Sequence, residues 1–80
     1  MKIFYTSKAE KQLIGLPKSE LKKIFSKIEK LSDESGAGKP LKGEFDGLYS
    51  LRAWPYRIIY KVEEGALVIC SVAHRQGVYK

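Results

Sequence analysis

Hydrophobic and polar residues follow a helical spacing in the first half of the chain and a strand spacing in the second. The sequence opens with the β-formers KIFYT at 2–6, and Ser7 with Glu10 then forms the S-x-x-E pattern of a helix start. We therefore expect a strand and then a short helix that ends at Gly15–Pro17, where glycine and proline interrupt it. The residues expected to face inward on this helix are Ala9, Leu13 and Ile14.

A longer helix is predicted to begin at Lys18. Its apolar residues recur at the spacing of one helical face: Leu21, Ile24, Phe25, Ile28 and Leu31. Lysines occupy most of the remaining positions, which is typical of a solvated helix face, and they also attract polyanions. The segment Asp33–Pro40 that follows contains glycines and a proline without periodicity, and it is predicted to be a loop.

Three strands separated by two tight turns are predicted in the second half. The strands are Leu48–Ala53, Tyr56–Val62 and Ala66–Ala73, and the turns are Trp54-Pro55 and Glu64-Gly65. The element order is then β-α-α-β-β-β. This order predicts an α+β fold in which the N-terminal strand and the helical hairpin pack on one face of an antiparallel sheet. The other face of the sheet is then left free for a function.

Length and composition restrict the number of domains, the kind of partner and the location of the protein. Eighty residues predict one domain over 1–80, because so short a chain cannot support two cores. The formal net charge of +6 favours phosphate polymers or an acidic protein as partners. Cys70, the only cysteine, lies in an apolar run and is expected in the core. Without a signal peptide or a membrane-length apolar run, we expect a cytoplasmic protein without membrane association.

The cations of the β half converge if both hairpins keep a tight register. The first turn places Arg52 opposite Arg57, and the second places Arg57 opposite Val72, with His74 two residues farther along the same face. A slip of one residue would separate them. Because unpaired cations repel each other, the cluster predicts an anionic ligand. Phosphate is a suitable one, since the planar guanidinium group places its donors to bind two phosphate oxygens. The alternative is that both arginines are charges that keep the sheet soluble.

Other candidate chemistry is sparse. One histidine and one cysteine make a zinc site improbable, so we expect no metal and no cofactor. Trp54, in a turn, either caps the core or stacks on a base or a partner side chain. Because the sequence has no phosphate-binding glycine loop, nucleophile elbow or carboxylate pair, an enzyme here would act through cations and a titrating histidine or tyrosine.

The second half of the chain resembles the RelE/ParE superfamily of bacterial and archaeal toxins from toxin–antitoxin pairs. The similarity lies in L-K-G at Leu41–Gly43, L-R at Leu51-Arg52, Y-R-I-I-Y at Tyr56–Tyr60 and H-R-x-x-x-Y at His74–Tyr79. The resemblance implies a toxin that is held inactive in a hetero-oligomer with its cognate antitoxin, which we expect to be acidic.

Three functions are compatible with this resemblance. The RelE branch implies an endoribonuclease that cuts messenger RNA in the ribosomal A site, and the ParE branch implies an inhibitor of DNA gyrase. A third possibility is a catalytically silent relative that binds only an antitoxin or RNA. The RelE branch fits the residues best, because metal-free attack of a 2′-hydroxyl on phosphate needs both cations and proton transfer.

The resemblance also implies individual roles. Arg57 and Arg75 match the family's catalytic arginines, and Tyr79 matches its C-terminal tyrosine. We expect the arginines to hold the phosphate, while Tyr79 or His74 moves protons or orients the nucleotide. The residues expected to contact RNA are Arg52, Lys42, Lys80 and Trp54.

The sequence departs from the family at two positions. The best-known RelE proteins carry lysines where this chain has Leu48 and Ser50. Arg52 and Lys42 are then the nearest cations. Either they substitute for these lysines, or the activity is weaker, or the chain has another target.

Overall fold

The computed structural model describes residues 1–34, 36, 38–41 and 47–74. The two helices are α1, Ser7–Ile14, and α2, Lys18–Asp33. The strands are β1, Lys2–Tyr5; β2, Lys39–Pro40; β3, Tyr49–Ala53; β4, Tyr56–Glu63; and β5, Ala66–His74. The predicted α+β fold is confirmed, with a helical hairpin packed on a sheet.

The strands form one sheet in the order β1-β5-β4-β3-β2. Both predicted turns are confirmed, and β3, β4 and β5 form the antiparallel meander. Strand β1 lies at one edge and pairs in parallel with β5, so the sheet is mixed rather than wholly antiparallel. Parallel pairing is possible because the two helices lie between β1 and the meander in the chain.

The second edge strand, β2, lies within the segment predicted to be a loop, and that prediction was wrong for Lys39 and Pro40. Lys39 pairs with Ser50 and Pro40 with Tyr49. The Gly38 N–H also donates to the Tyr60 hydroxyl at 2.9 Å. Proline is tolerated here because an edge strand needs only one row of backbone partners. A strand of two residues has no periodicity, so only its tertiary contacts identify it.

Helix α1 begins one residue earlier than its capping pattern indicated. Its N-cap is Thr6, whose hydroxyl accepts a hydrogen bond from the Ala9 N–H at 3.1 Å, and not Ser7. The same hydroxyl donates to the Cys70 carbonyl of β5 at 2.9 Å. Thr6 has the extended backbone that a capping residue needs, because β1 pairs with β5 up to Tyr5.

The core between the helices and the sheet contains most of the predicted residues. Its buried helical members are Ala9, Leu13, Ile24, Ile28 and Leu31. Ile14 is 83% exposed, contrary to prediction, because it is about 140° around the helix from Ala9 at about 100° per residue. Phe25 is 40% exposed, and its ring packs edge-on against Tyr5 at 6.4 Å. Phe25 therefore lies at the border of the core.

A β-bulge interrupts the pairing of β4 with β5. Ile59 pairs with Ser71 and Tyr60 with Ile69, which leaves Cys70 as an extra residue of β5. Contrary to prediction, Cys70 is only half-buried, although its burial is enough to raise the pKa of the thiol.

Gln12 of helix α1 accepts hydrogen bonds from the two residues that follow the bulge. Gln12 Oε1 accepts from the Val72 N–H at 2.7 Å and from the Ser71 hydroxyl at 3.2 Å. Together with the bond from Thr6, these contacts provide partners for the Cys70 carbonyl and the Val72 N–H beyond the end of β1.

We expect Gln12→Ala to lower the free energy of unfolding by about 1–3 kcal/mol, because the Val72 N–H loses its acceptor in a partly buried place. Urea unfolding followed by circular dichroism measures this loss. Lys11→Ala, at an exposed neighbouring position, is the control. Equal stability of the two variants would contradict the role of Gln12.

Gly38→Ala should also destabilise the protein, by about 1–3 kcal/mol, because an added methyl group overpacks the structure. A Cβ at Gly38 would lie 2.7 Å from Cε1 and 2.8 Å from Cζ of Tyr60, whereas a Cβ at Gly36 would have no atom within 4 Å. Gly36→Ala is therefore the matched control in the same unfolding measurement. A Gly38→Ala variant as stable as Gly36→Ala would show that β2 adjusts freely.

Candidate functional site

The sheet has one face covered by the helices and one face turned away from them, here called the far face. Ile58 and Tyr60 pack in the core with the helices. Because successive side chains of a strand point to opposite faces, Arg57 and Ile59 of β4 belong to the far face. Ser50, the partner of Ile59, belongs to it as well.

Arg52 and Arg57 are paired directly across β3 and β4 on the far face, as predicted. The Arg52 side chain is exposed, and Arg57 is half-buried. Like charges placed opposite each other on adjacent strands are unfavourable without an anion. The register therefore places two guanidinium groups next to each other on the far face.

His74 does not lie on the face of Arg57, and the predicted pairing of Arg57 with Val72 was wrong. Arg57 pairs with Ala73, and His74 pairs with Tyr56. The bulge adds one residue to β5, and a shift of one residue moves every later side chain to the opposite face. The His74 ring instead packs edge-on against Tyr56 on the helix side, with ring centroids 5.8 Å apart.

Trp54 lies at the tip of the β3–β4 hairpin. Its side chain is 57% exposed, which excludes the interpretation that it caps the core. Its carbonyl accepts a hydrogen bond from Lys23 Nζ at 2.7 Å, and Lys23 also lies 3.1 Å from a Glu20 carboxylate oxygen. Helix α2 therefore holds the turn next to the arginine pair, with more than half of Trp54 exposed.

A groove of about 520 Å³ is lined by residues of β2 and β3 and by Arg57 of β4. The polar residues that line it are Lys39, Ser50, Arg52 and Arg57. It has three cations and no carboxylate among its described lining residues. Such a groove is suited to phosphate, because guanidinium and ammonium groups donate charge-assisted hydrogen bonds to phosphate oxygens.

Lys39 was not among the predicted site residues. The segment around it was predicted to be a loop, so no pairing placed its side chain beside a strand. In the structure it pairs with Ser50 and therefore lies on the far face. The sequence signal that could have indicated it is a lysine-proline pair before the L-K-G motif, typical of a short edge strand.

Four predicted site residues lie outside the described residues: Arg75, Tyr79, Lys42 and Lys80. Their roles stay predictions from the family resemblance.

Among the residues that the structure does describe, no three His, Cys, Asp or Glu side chains are grouped as a metal site would require. No helix in the described part of the chain has both the length and the apolar character to cross a membrane.

The sequence and the fold both have known relatives. Residues 3–79 match the family model of the ParE toxin of the type II toxin–antitoxin system parDE. The chain is 31% identical over 80 residues to Toxin RelG of Mycobacterium tuberculosis, a match that covers 95% of this chain and 92% of that toxin.

Solved structures give the same result. A chain of the RelBE2 toxin–antitoxin complex from M. tuberculosis superposes with a TM-score of 0.84 at 32% identity, covering 92% of this chain and 96% of that one. A chain of the intact RelBE complex of E. coli superposes with a TM-score of 0.76 at 22% identity. This match covers 91% of the present chain and 94% of the E. coli one. The second similarity concerns the fold alone. The chain belongs to the RelE/ParE superfamily and is a toxin of a type II toxin–antitoxin system.

Proposed function

We propose that this toxin is an endoribonuclease that cuts messenger RNA in the ribosomal A site without a metal ion. The observation that carries the proposal is the Arg52–Arg57 pair beside a groove with no carboxylate among its described lining residues. A groove with this charge attracts a phosphate backbone. The similarity to toxins named RelG and RelE supports the choice of RNA as the target.

The reaction that suits these residues is internal transfer at phosphorus. The 2′-oxygen forms a bond to the adjacent phosphorus, the bond from phosphorus to the 5′-oxygen breaks, and a cyclic phosphate and a 5′-hydroxyl result. One proton leaves the 2′-hydroxyl and one reaches the leaving oxygen. Arg57 stabilises the extra negative charge of the pentacovalent state, and its half-burial strengthens this interaction because less water screens it.

The remaining roles are assigned to Arg75, Tyr79 and His74. Arg75 joins Arg57 on the phosphate in this proposal, and Tyr79 moves protons or orients the nucleotide. His74 packs against Tyr56 on the helix side. We therefore assign His74 a secondary part in proton transfer, behind Tyr79. Arg52, Lys42, Lys80 and Trp54 contact the RNA on either side of the cut.

Arg57→Ala should lower the rate of messenger cleavage at least about 100-fold, because it removes a donor to the charged transition state. Arg57→Lys should also be impaired, since lysine keeps the charge but loses the planar fork. Primer extension on messages in a translating extract measures both variants. Lys30→Ala, on the exposed face of α2, is the control. Native-like cleavage by Arg57→Ala would contradict the mechanism.

A second target, DNA gyrase, is favoured by the match of residues 3–79 to the ParE family model. Supercoiling assays run in parallel on the same preparations distinguish the two. Inhibition of supercoiling with intact messages would replace the nuclease proposal by the gyrase one. Antitoxin binding without either effect would identify a silent relative.

We further propose an acidic antitoxin as partner, bound at an apolar hollow between the helices and β1. Tyr5, Glu10, Leu13, Ile14 and Phe25 line this hollow of about 240 Å³. Its exposed apolar residues, Ile14 and Phe25, suit the apolar side of an amphipathic segment. The net charge of +6 on the chain favours acidic residues elsewhere in the partner, and the solved relatives include toxin–antitoxin complexes.

Ile14→Ser should weaken binding of the co-expressed antitoxin about tenfold or more, because burying an isoleucine side chain contributes about 1.5–3 kcal/mol. The fold should be unaffected, since Ile14 is 83% exposed. Titration of the purified partner by calorimetry measures the effect. Val62→Ser, at an apolar residue 39% exposed outside the hollow, is the control. Equal affinity of the two variants would place the antitoxin elsewhere.

A further inference from the structure

We propose that Lys39 is a third phosphate-binding residue of the groove, which holds the RNA backbone at the wall opposite Arg57. The inference rests on the proposed function in that the ligand is taken to be single-stranded RNA. It adds a residue that belongs to none of the motifs shared with the toxin family. Three features of the structure support it: the position of Lys39, its charge environment and the anchoring of β2.

The position of Lys39 follows from the register of the sheet. Lys39 pairs with Ser50, and Arg52, two residues along β3 on the same face, pairs with Arg57. Strands lie about 4.8 Å apart and each residue advances the chain by about 3.3 Å. Lys39 and Arg57 are thus two strands and two residues apart, about 12 Å between their Cα atoms. Their side chains are long enough to hold one extended segment of backbone between them.

Ser50 lies between these two walls and is 8% exposed. It lines the same groove as Lys39 and Arg57, on the strand between theirs. Because serine is small, it leaves room above the middle strand where a longer side chain would fill the groove. A ligand can therefore lie across β3 and reach cations from β2 and β4 together.

The charge around Lys39 also favours an anion. Lys39 is exposed and has no salt bridge with any described residue, whereas Lys23 and Lys61 each lie beside a glutamate. The other described charges that line the groove are Arg52 and Arg57. Three cations around one groove raise each other's electrostatic energy, and a phosphate between them lowers it.

The backbone of β2 is fixed on both sides of Lys39. On one side, the Gly38 N–H donates to the hydroxyl of Tyr60, which is completely buried and stacked on Tyr49 with ring centroids 5.5 Å apart. On the other side, the Leu41 N–H donates to the Leu48 carbonyl at 2.9 Å. Because its strand is anchored in this way, Lys39 loses less backbone freedom when it binds than a lysine on a free loop.

The test measures how binding of a single-stranded oligoribonucleotide depends on salt. A 2′-O-methylated strand is used with the full chain, so that binding is separated from cleavage. Loss of one phosphate contact lowers the slope of log K against log salt by about 0.7 for single strands. We expect Lys39→Ala to show this change, with affinity reduced about five- to tenfold at low salt.

Three further proteins make the result specific. Lys39→Arg keeps the charge and should restore the native slope, which a purely structural role of the side chain would not explain. Lys30→Ala removes one exposed helical lysine and should leave the slope unchanged. Arg57→Ala should lower the slope as Lys39→Ala does, because both residues bind phosphate.

The outcomes separate this inference from the proposed function. If Arg57→Ala weakens binding and Lys39→Ala behaves like Lys30→Ala, the assignment of Lys39 is overturned while the RNA site stands. If the native chain binds no oligoribonucleotide at any salt concentration, the assignment of Lys39 fails, while the nuclease proposal is still decided by cleavage in the translating extract.

Discussion

The hydrogen bonds between α1 and the bulge of β5 determine which face each residue at the end of the sheet occupies. The Thr6 hydroxyl binds the Cys70 carbonyl, and Gln12 accepts from the Val72 N–H. Cys70 is the single extra residue, and it reverses the alternation of side chains for the rest of β5. His74 lies on the helix side for this reason, and Ala73, with a small side chain, lies opposite Arg57. On the far face, the β5 residue next to the arginine therefore has a small side chain.

The parts of this arrangement that depend on neighbouring residues could be predicted from the sequence. Both hairpin turns and the Arg52–Arg57 pair follow from turn chemistry and from a side-chain period of two. The bulge could not be predicted, because Cys70 lies in an apolar run with no glycine to indicate it. Thr6 and Gln12, which form hydrogen bonds at the bulge, are about 60 residues away in the chain. The bulge therefore depends on tertiary contacts that no local sequence pattern shows.

The cations of the groove were likewise only partly predictable from the sequence. The sequence left open whether Arg52 and Lys42 substitute for the lysines expected from the family resemblance at Leu48 and Ser50. The register pairs Lys39 with Ser50, so a further cation reaches this place from the adjacent strand. Electrostatic attraction for a phosphate depends on where the charge lies and not on which strand carries it.

The two proposed binding surfaces lie at opposite edges of the sheet. The apolar hollow adjoins β1, whereas the cationic groove adjoins β2, and β5, β4 and β3 separate them in the strand order. A partner helix confined to the hollow would therefore leave the groove open to RNA. Inhibition by direct obstruction requires an antitoxin segment that extends past the sheet to the far face. The positive charge of the groove favours acidic residues in that segment, because they would take the place of the phosphates.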